Sequence, residues 1–143
     1  MAMSEIAPAE PIPRFEILDE DECLRLLARE PVGRIALTAS ALPVVLPVNF
    51  VLVDRTIVFA SDGGLKVAAA QAGTVACLEI DGFDRWTHGG WSVLATGVLH
   101  EITDPARLRD AKLLPLSPWA VSKPQHYVEL PIELLSGRRI NRP

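Results

Sequence analysis

From Pro31 onward the apolar residues of this chain recur mainly at every second position, a pattern typical of β-strands. Before that point, "LDEDECLRLLAREP" places Leu24, Leu27 and Ala28 on one face, which predicts an amphipathic helix of about three turns. After it, about six strand-like runs follow at short spacing, with only short helices between them. The sequence therefore predicts a mainly β, antiparallel barrel or sandwich with short peripheral helices.

Prolines, glycines and polar pairs mark the edges and ends of these runs. The long run "PVVLPVNFVLVD" contains Pro47, which cannot donate to a strand ladder and therefore indicates an edge strand or a bulge. The pair at positions 54–55 is a predicted tight turn, and Gly97 is a predicted bulge or bend. "DPARLRDAKLL" has an aspartate cap and a proline at its first helical position, which predicts a short helix.

The chain of 143 residues is long enough for one domain with its own core. Residues 1–14 contain Pro8, Pro11 and Pro13 and are predicted to form a flexible N-terminal arm, which leaves residues 15–143 as the folded domain. No signal peptide or membrane span is indicated, so we expect a cytoplasmic protein without a membrane partner. The net charge of −4 argues against nucleic acid as a partner.

The residues that usually carry hydrolytic or metal chemistry are scattered. His88, His100 and His126 have no neighbours at metal-ligand spacing, and no serine lies in a G-x-S-x-G elbow. Cys23 and Cys77 form no spaced motif and are predicted to be buried thiols. A protease, an esterase and a zinc enzyme are therefore poorly supported, no metal site is predicted, and no catalytic residue is assigned.

The stretch "FASDGGLKVAAAQAG" combines several groups that favour a bound phosphate. Gly63 and Gly64 allow backbone N–H groups to approach an anion, Lys66 supplies a full positive charge, and Ser61 supplies a hydroxyl donor. A second interpretation makes Asp62 the N-cap of the following helix and Lys66 a solvated side chain. The stretch alone leaves both interpretations open.

The order and spacing of the motifs resemble a known family. "VGRIALTA", "LPVVLPVNFVLVDRTIVFAS", "GGLKVAAA", "GTVACLEIDGF", "GWSVLATGVLHEI" and "SGRRI" follow one another as they do in small actinobacterial-type members of the pyridoxamine 5′-phosphate oxidase-like family, the FMN-binding split barrels. The resemblance covers about residues 17–141. It implies a six-stranded antiparallel split β-barrel with short peripheral helices and an obligate homodimer that holds two flavins at its interface.

The resemblance also implies where the cofactor phosphate lies. Family members bind FMN through a Ser or Thr at the end of an F-x-T/S strand, which Ser61 matches, and through a Lys five residues later, which Lys66 matches. Gly64 belongs to the same implied site because it lies in the loop between them. Pyridoxamine-phosphate oxidases carry an Arg directly before that Lys, where this chain has Leu65. The substrate-binding arginines of vitamin B6 oxidation are not recognisable either, so that reaction is not predicted.

The flavin ring is implied to lie against two further segments. Pro47, Val48 and Asn49 fall on the strand that lines the ring in the family, and Trp91 and Ser92 match an entry to a strand that lies near the cofactor of the partner subunit. The same Trp91 is also explained as a core residue. Trp119 also has two interpretations: it lines a ring of the ligand, or it packs at a dimer interface.

The sequence predicts an FMN-dependent oxidoreductase that transfers hydride or electrons to or from an unidentified small molecule. A deazaflavin-dependent reductase is the first alternative, because related split barrels exchange the two coenzymes. The second alternative is a non-catalytic carrier or sensor that binds flavin or haem.

Overall fold

Within residues 12–116 and 126–142, which the computed structural model describes, the chain forms ten strands and three helices. The strands are β1 (Arg14–Leu18), β2 (Val32–Ala39), β3 (Leu42–Asn49), β4 (Val51–Val53), β5 (Thr56–Ser61), β6 (Val75–Phe83), β7 (Gly90–Val98), β8 (His100–Glu101), β9 (His126–Pro131) and β10 (Leu134–Asn141). The helices are α1 (Glu20–Arg29), α2 (Leu65–Gln71) and α3 (Pro105–Lys112). Trp119 and residues 1–11 of the predicted arm lie outside the described residues.

The strands form two antiparallel sheets that remain open at their edges. The larger sheet has six strands in the order β1-β10-β7-β6-β2-β3, and the smaller has four in the order β4-β5-β9-β8. The predicted mainly β, antiparallel fold with short helices is thereby confirmed. Arg14, which the sequence assigned to the arm, already pairs with Asn141 at the edge of the larger sheet.

The described residues contain ten strands instead of the six predicted, because three predicted strands are each divided in two and β1 was not predicted. The run predicted as one strand over residues 43–54 breaks at Phe50, whose side chain is buried and whose N–H donates to the carbonyl of Pro31 at 3.2 Å. Its first part stays in the larger sheet as β3 and its second part starts the smaller sheet as β4. The break therefore carries the chain from one sheet to the other.

The turns and edges follow the proline and glycine signals. β3 is the last strand of the larger sheet, so the edge interpretation of Pro47 is confirmed. Asp54 adopts φ 54° in the two-residue connection from β4 to β5, as expected for the tight turn predicted there. Gly97 lies where the two sheets meet, since a Cβ at this position would be 2.1 Å from the carbonyl oxygen of Pro131.

The core lies between the inner faces of the two sheets and is closed at one end by α1. Helix α1 is capped by Asp19, whose carboxylate accepts from the N–H of Glu22 at 2.8 Å. Its buried residues are Cys23, Leu26 and Leu27, so the buried face is rotated slightly from the predicted one. A smaller apolar cluster forms where α3 covers the opposite face of the four-stranded sheet. None of the described helices is long and apolar enough to cross a membrane.

Candidate functional site

The predicted phosphate site begins at Ser61, the last residue of β5. Ser61 is buried, and its hydroxyl donates to the carbonyl of Gly63 at 2.9 Å while the N–H of Gly63 donates back to Oγ at 3.3 Å. These two bonds hold the loop that follows the strand in a tight turn. A serine hydroxyl has one donor and two acceptor positions, so Ser61 donates to an anion only after its proton rotates away from Gly63.

The loop needs two consecutive glycines for conformational reasons. Gly63 has φ 138° and Gly64 has φ 80°, both in regions that L side chains rarely adopt. No atom of residues 12–116 or 126–142 lies within 4 Å of a Cβ built at either position, so these residues leave the space beside the loop open. The loop therefore presents accessible backbone, which a side chain at these positions would cover.

The start of α2 differs from the second interpretation, in which Asp62 was the N-cap of this helix. Its N-cap is Gly64, without a side-chain hydrogen bond to the helix, so Asp62 does not cap the helix. The cap interpretation of Asp62 is therefore wrong. Because α2 has only seven residues, its dipole is a minor contribution, and the charge at this end of the loop comes from Lys66.

Lys66 occupies the second position of α2 and is half-buried. No carboxylate in the part of the chain that the structure describes forms an ion pair with its ammonium group. Leu65, directly before it, is 49% exposed. A cation that is half-buried and has no carboxylate partner is suited to hold an anionic ligand.

His126, for which the sequence indicated no metal-binding or catalytic role, lies beside this loop. His126 is the cross-strand partner of Ser61, at the end where β5 pairs with β9. Its Nδ1 lies 2.5 Å from Oε1 of Glu101, and Gln71 of α2 donates to Oε2 of the same carboxylate at 3.0 Å. The hydrogen bond with His126, and then that with Gln71, lowers the pKa of Glu101. No local motif signals this cluster, because strand register brings its members together.

The predicted ring-lining residues lie on the edge strand β3. Val48 is buried, Asn49 is half-buried and Pro47 is exposed. β3 and β5 belong to different sheets but contact each other, so the strand that carries these residues lies next to the strand that ends at Ser61. Their contact with a flavin stays a prediction.

Trp91 and Ser92 are neighbours on β7, and their side chains alternate between the two faces of the larger sheet. Trp91 packs against Gly82, where a Cβ would lie 2.4 Å from Nε1, and the Arg29 guanidinium of α1 is 5.5 Å from the ring centroid. Ser92 lies on the other face, between its cross-strand partners Asp81 and Arg138. Within the described chain no hydrogen bond joins either residue to the Ser61 loop, so their cofactor role stays a prediction.

A separate cavity of about 300 Å³ lies between α3 and the four-stranded sheet. Its wall includes the buried Glu129, whose two carboxylate oxygens accept from the two terminal nitrogens of Arg107. The outward face of β5 also lines this cavity, through Thr56 and Val58. Ser61 belongs to the other face of the same strand, so the cavity is distinct from the candidate phosphate site.

Comparisons with known proteins agree with the motifs. A family model described as pyridoxamine 5′-phosphate oxidase matches residues 19–139. An uncharacterised protein from Mycobacterium tuberculosis is 36% identical over 128 residues, which cover 86% of this chain and 84% of that protein.

Two solved structures with a similar fold belong to flavin-binding proteins. The FAD binding protein from Mycobacterium smegmatis is 32% identical, with a TM-score of 0.72 over 86% of this chain and 96% of that chain. A FAD-binding protein from Mesorhizobium loti is 25% identical, with a TM-score of 0.71 over 87% of this chain and 97% of that chain. The resemblance inferred from the ordered motifs is confirmed, and this chain belongs to the pyridoxamine 5′-phosphate oxidase family.

Proposed function

We propose that this protein binds FMN at the loop from Ser61 to Lys66 and uses it as an oxidoreductase. The observation that carries the proposal is Lys66, a half-buried cation without an ion pair among the described residues. It lies beside the turn formed by Gly63 and Gly64, the diglycine turn, next to which the described residues leave open space. FMN carries a terminal phosphate monoester that such a site can hold. The M. smegmatis and M. loti relatives bind FAD, a second flavin, which supports the ligand class.

Some residues of the proposed site contact the phosphate of FMN, and the others contact its flavin ring. Lys66 pairs with the phosphate, and the backbone at Gly63 and Gly64 approaches it closely. The ring lies along β3 at Pro47, Val48 and Asn49, and the strand entry at Trp91 and Ser92 of a second subunit borders it. Of Trp91 and Ser92, it is Ser92 whose side chain lies on the face of the larger sheet that points away from the core.

A bound flavin supplies hydride or electron transfer, and the chain supplies position and electrostatics. Val48 is turned towards the core and Pro47 towards the outer face of β3, so the two residues would restrict how the cofactor sits from different sides of the strand. None of the described residues is assigned as a general acid or base. The substrate is a small molecule, and pyridoxamine phosphate is not proposed because the substrate-binding arginines of vitamin B6 oxidation are not recognisable in the sequence.

We propose that the functional unit is a homodimer. The face of the six-stranded sheet that points away from the core exposes large apolar residues on four of its strands. Ile17 is 78% exposed, Val45 63%, Phe83 69% and Leu94 40%. Apolar residues spread over one continuous face are typical of an interaction surface, and a second copy of the chain covers the same face symmetrically.

An absorbance spectrum of the purified protein, before and after addition of FMN, FAD or haem, tests the ligand. We expect the two visible flavin bands and one FMN per chain at saturation. A Soret band without flavin bands would favour the haem-binding alternative, and tighter binding of a deazaflavin would favour the reductase alternative. Oxidation of a reduced nicotinamide by the FMN-loaded protein then distinguishes an enzyme from a carrier.

A further inference from the structure

We propose that His126, oriented by Glu101, is a second ligand of the cofactor phosphate, opposite Lys66. This inference rests on the proposed FMN site and identifies a residue of that site beyond those the family motifs supply. It assigns the role of the missing arginine at position 65 to a residue about sixty positions later in the chain.

Strand register places His126 at the loop. Ser61 and His126 are directly opposite each other in the antiparallel pair of β5 and β9. Opposite residues in such a pair share a face of the sheet, with Cβ atoms about 4.5–5.5 Å apart. His126 therefore lies on the same face as the Ser61 hydroxyl, at the end of the sheet where the diglycine turn begins.

A hydrogen-bonded chain fixes the imidazole ring. Glu101 contacts Nδ1 through Oε1, and its other oxygen accepts from Gln71, so both carboxylate oxygens are used. Gln71 belongs to α2, the helix that carries Lys66. The carboxylate that orients the ring is thus itself hydrogen-bonded to the helix that carries Lys66.

The opposite edge of the ring is available to a ligand. The His126 side chain is 31% exposed, and in the described part of the chain Nε2 has no hydrogen-bond partner. An imidazolium donates from both nitrogens, so Nδ1–H is directed to Glu101 and Nε2–H to a phosphate oxygen. A carboxylate behind a ligand-binding histidine fixes ring orientation in the same way at many protein sites.

The charge of the phosphate leaves room for a second donor besides Lys66. A phosphate monoester carries between one and two negative charges near neutral pH, and Lys66 neutralises one of them. Leu65 neutralises none, and the nearest acidic neighbours of the loop, Asp62 and Glu101, have the wrong sign. When both ring nitrogens of His126 carry a proton, the ring adds a second positive group to the loop in place of an arginine.

Titrations with FMN and riboflavin test the proposal, because the two ligands differ only by the phosphate. We expect His126→Asn to weaken FMN binding about tenfold, the effect of losing a hydrogen bond to a charged group, and to leave riboflavin binding unchanged. Glu101→Gln should cause a smaller loss with the same selectivity, and the two losses should not add, because both act through one ring. His126→Gln, whose amide can donate to phosphate, should recover part of the affinity.

His100→Asn is the matched control. His100 precedes Glu101 on β8 but is paired with Glu129, on the opposite face of the sheet, so its replacement should change neither affinity. Equal losses for FMN and riboflavin in His126→Asn, or no loss in either, would overturn the proposal and leave the imidazole a structural tie between strands. If His126→Asn does not fold, an unchanged FMN-to-riboflavin ratio in Glu101→Gln overturns it instead. Wild-type protein that binds no flavin would overturn the proposed function together with this inference.

Discussion

Lys66 is the residue on which the proposed phosphate site depends most. If its ammonium pairs with the phosphate, Lys66→Ala should weaken FMN binding by about 1.5–3 kcal/mol, the range for hydrogen bonds to charged groups. Riboflavin binding should be almost unaffected, since riboflavin lacks the phosphate. Isothermal titration of both ligands measures this difference. Lys112→Ala, at the exposed end of α3, is the control, and equal changes for both ligands in Lys66→Ala would return this lysine to the solvated interpretation.

Replacing Trp91 distinguishes a role in packing from a role in cofactor binding. Its indole packs against Gly82 and beneath Arg29, so Trp91→Leu should lower the free energy of unfolding by about 1–3 kcal/mol, less than a full truncation to Ala. If the ring also borders the flavin, FMN binding weakens and the bound flavin becomes more fluorescent. We expect both effects, measured by thermal melts and flavin titration. Trp86→Leu, at a side chain that is 94% exposed, should show neither, and a lower melting temperature with unchanged FMN affinity would exclude the cofactor role.

At this scale the sequence predicts the parts of the site that are contiguous in the chain. Ser61, the diglycine turn and Lys66 lie within six positions, so a local motif contains them. His126 and Glu101 are 25 positions apart and meet only because β9 pairs with both β5 and β8. Sequence patterns assign strands but not their partners, which is why this cluster was missed.

At the scale of elements, α1 is tied to the last strand of the chain through one carboxylate. Glu22 accepts from Arg25 at 2.7 Å and from Arg139 of β10 at 2.8 Å. The hydrogen bond with Arg25, and then that with Arg139, lowers the pKa of Glu22 to about 2. The contribution of this contact between α1 and β10 to stability therefore depends on pH.

Glu22→Gln should therefore destabilise the protein at neutral pH and lose this effect in acid. Because the folded pKa is below the unfolded one, the carboxylate contributes its full stability above pH 4.5 and loses it as the pH falls towards about 2. Thermal melts of both proteins across this range should show melting temperatures that converge at low pH. A constant difference at every pH would contradict the ion-pair role. Glu133→Gln, at an exposed position without a salt bridge among the described residues, is the control.

The elements themselves were partly predictable. Pro47 placed β3 at an edge, because a proline lacks the N–H that a central strand needs. The break at Phe50 was not predicted, since a buried aromatic residue continues the apolar pattern of the strand on either side. The change of sheet is seen only in the strand pairing, since β3 pairs with β2 whereas β4 pairs with β5.

At the scale of the whole molecule, the apolar outer face of the larger sheet predicts a two-fold symmetric dimer. We expect it to bury more than about 2,000 Å², as obligate dimers do. Light scattering at micromolar concentration should give twice the mass of one chain. Leu94→Asp, in the middle of that face, should shift the protein towards monomer, whereas Asp110→Asn on the exposed side of α3 should not. A monomeric mass for the unaltered protein would contradict the dimer.

Equilibrium titration of FMN into the purified protein, followed by flavin fluorescence, tests the proposed function most directly. The Ser61–Lys66 site predicts saturable binding with one FMN per chain, and weaker binding of riboflavin, which lacks the phosphate held by Lys66. An unchanged flavin signal up to millimolar protein would contradict a flavin site altogether. Equal affinities for FMN and riboflavin would show that no phosphate site exists at this loop.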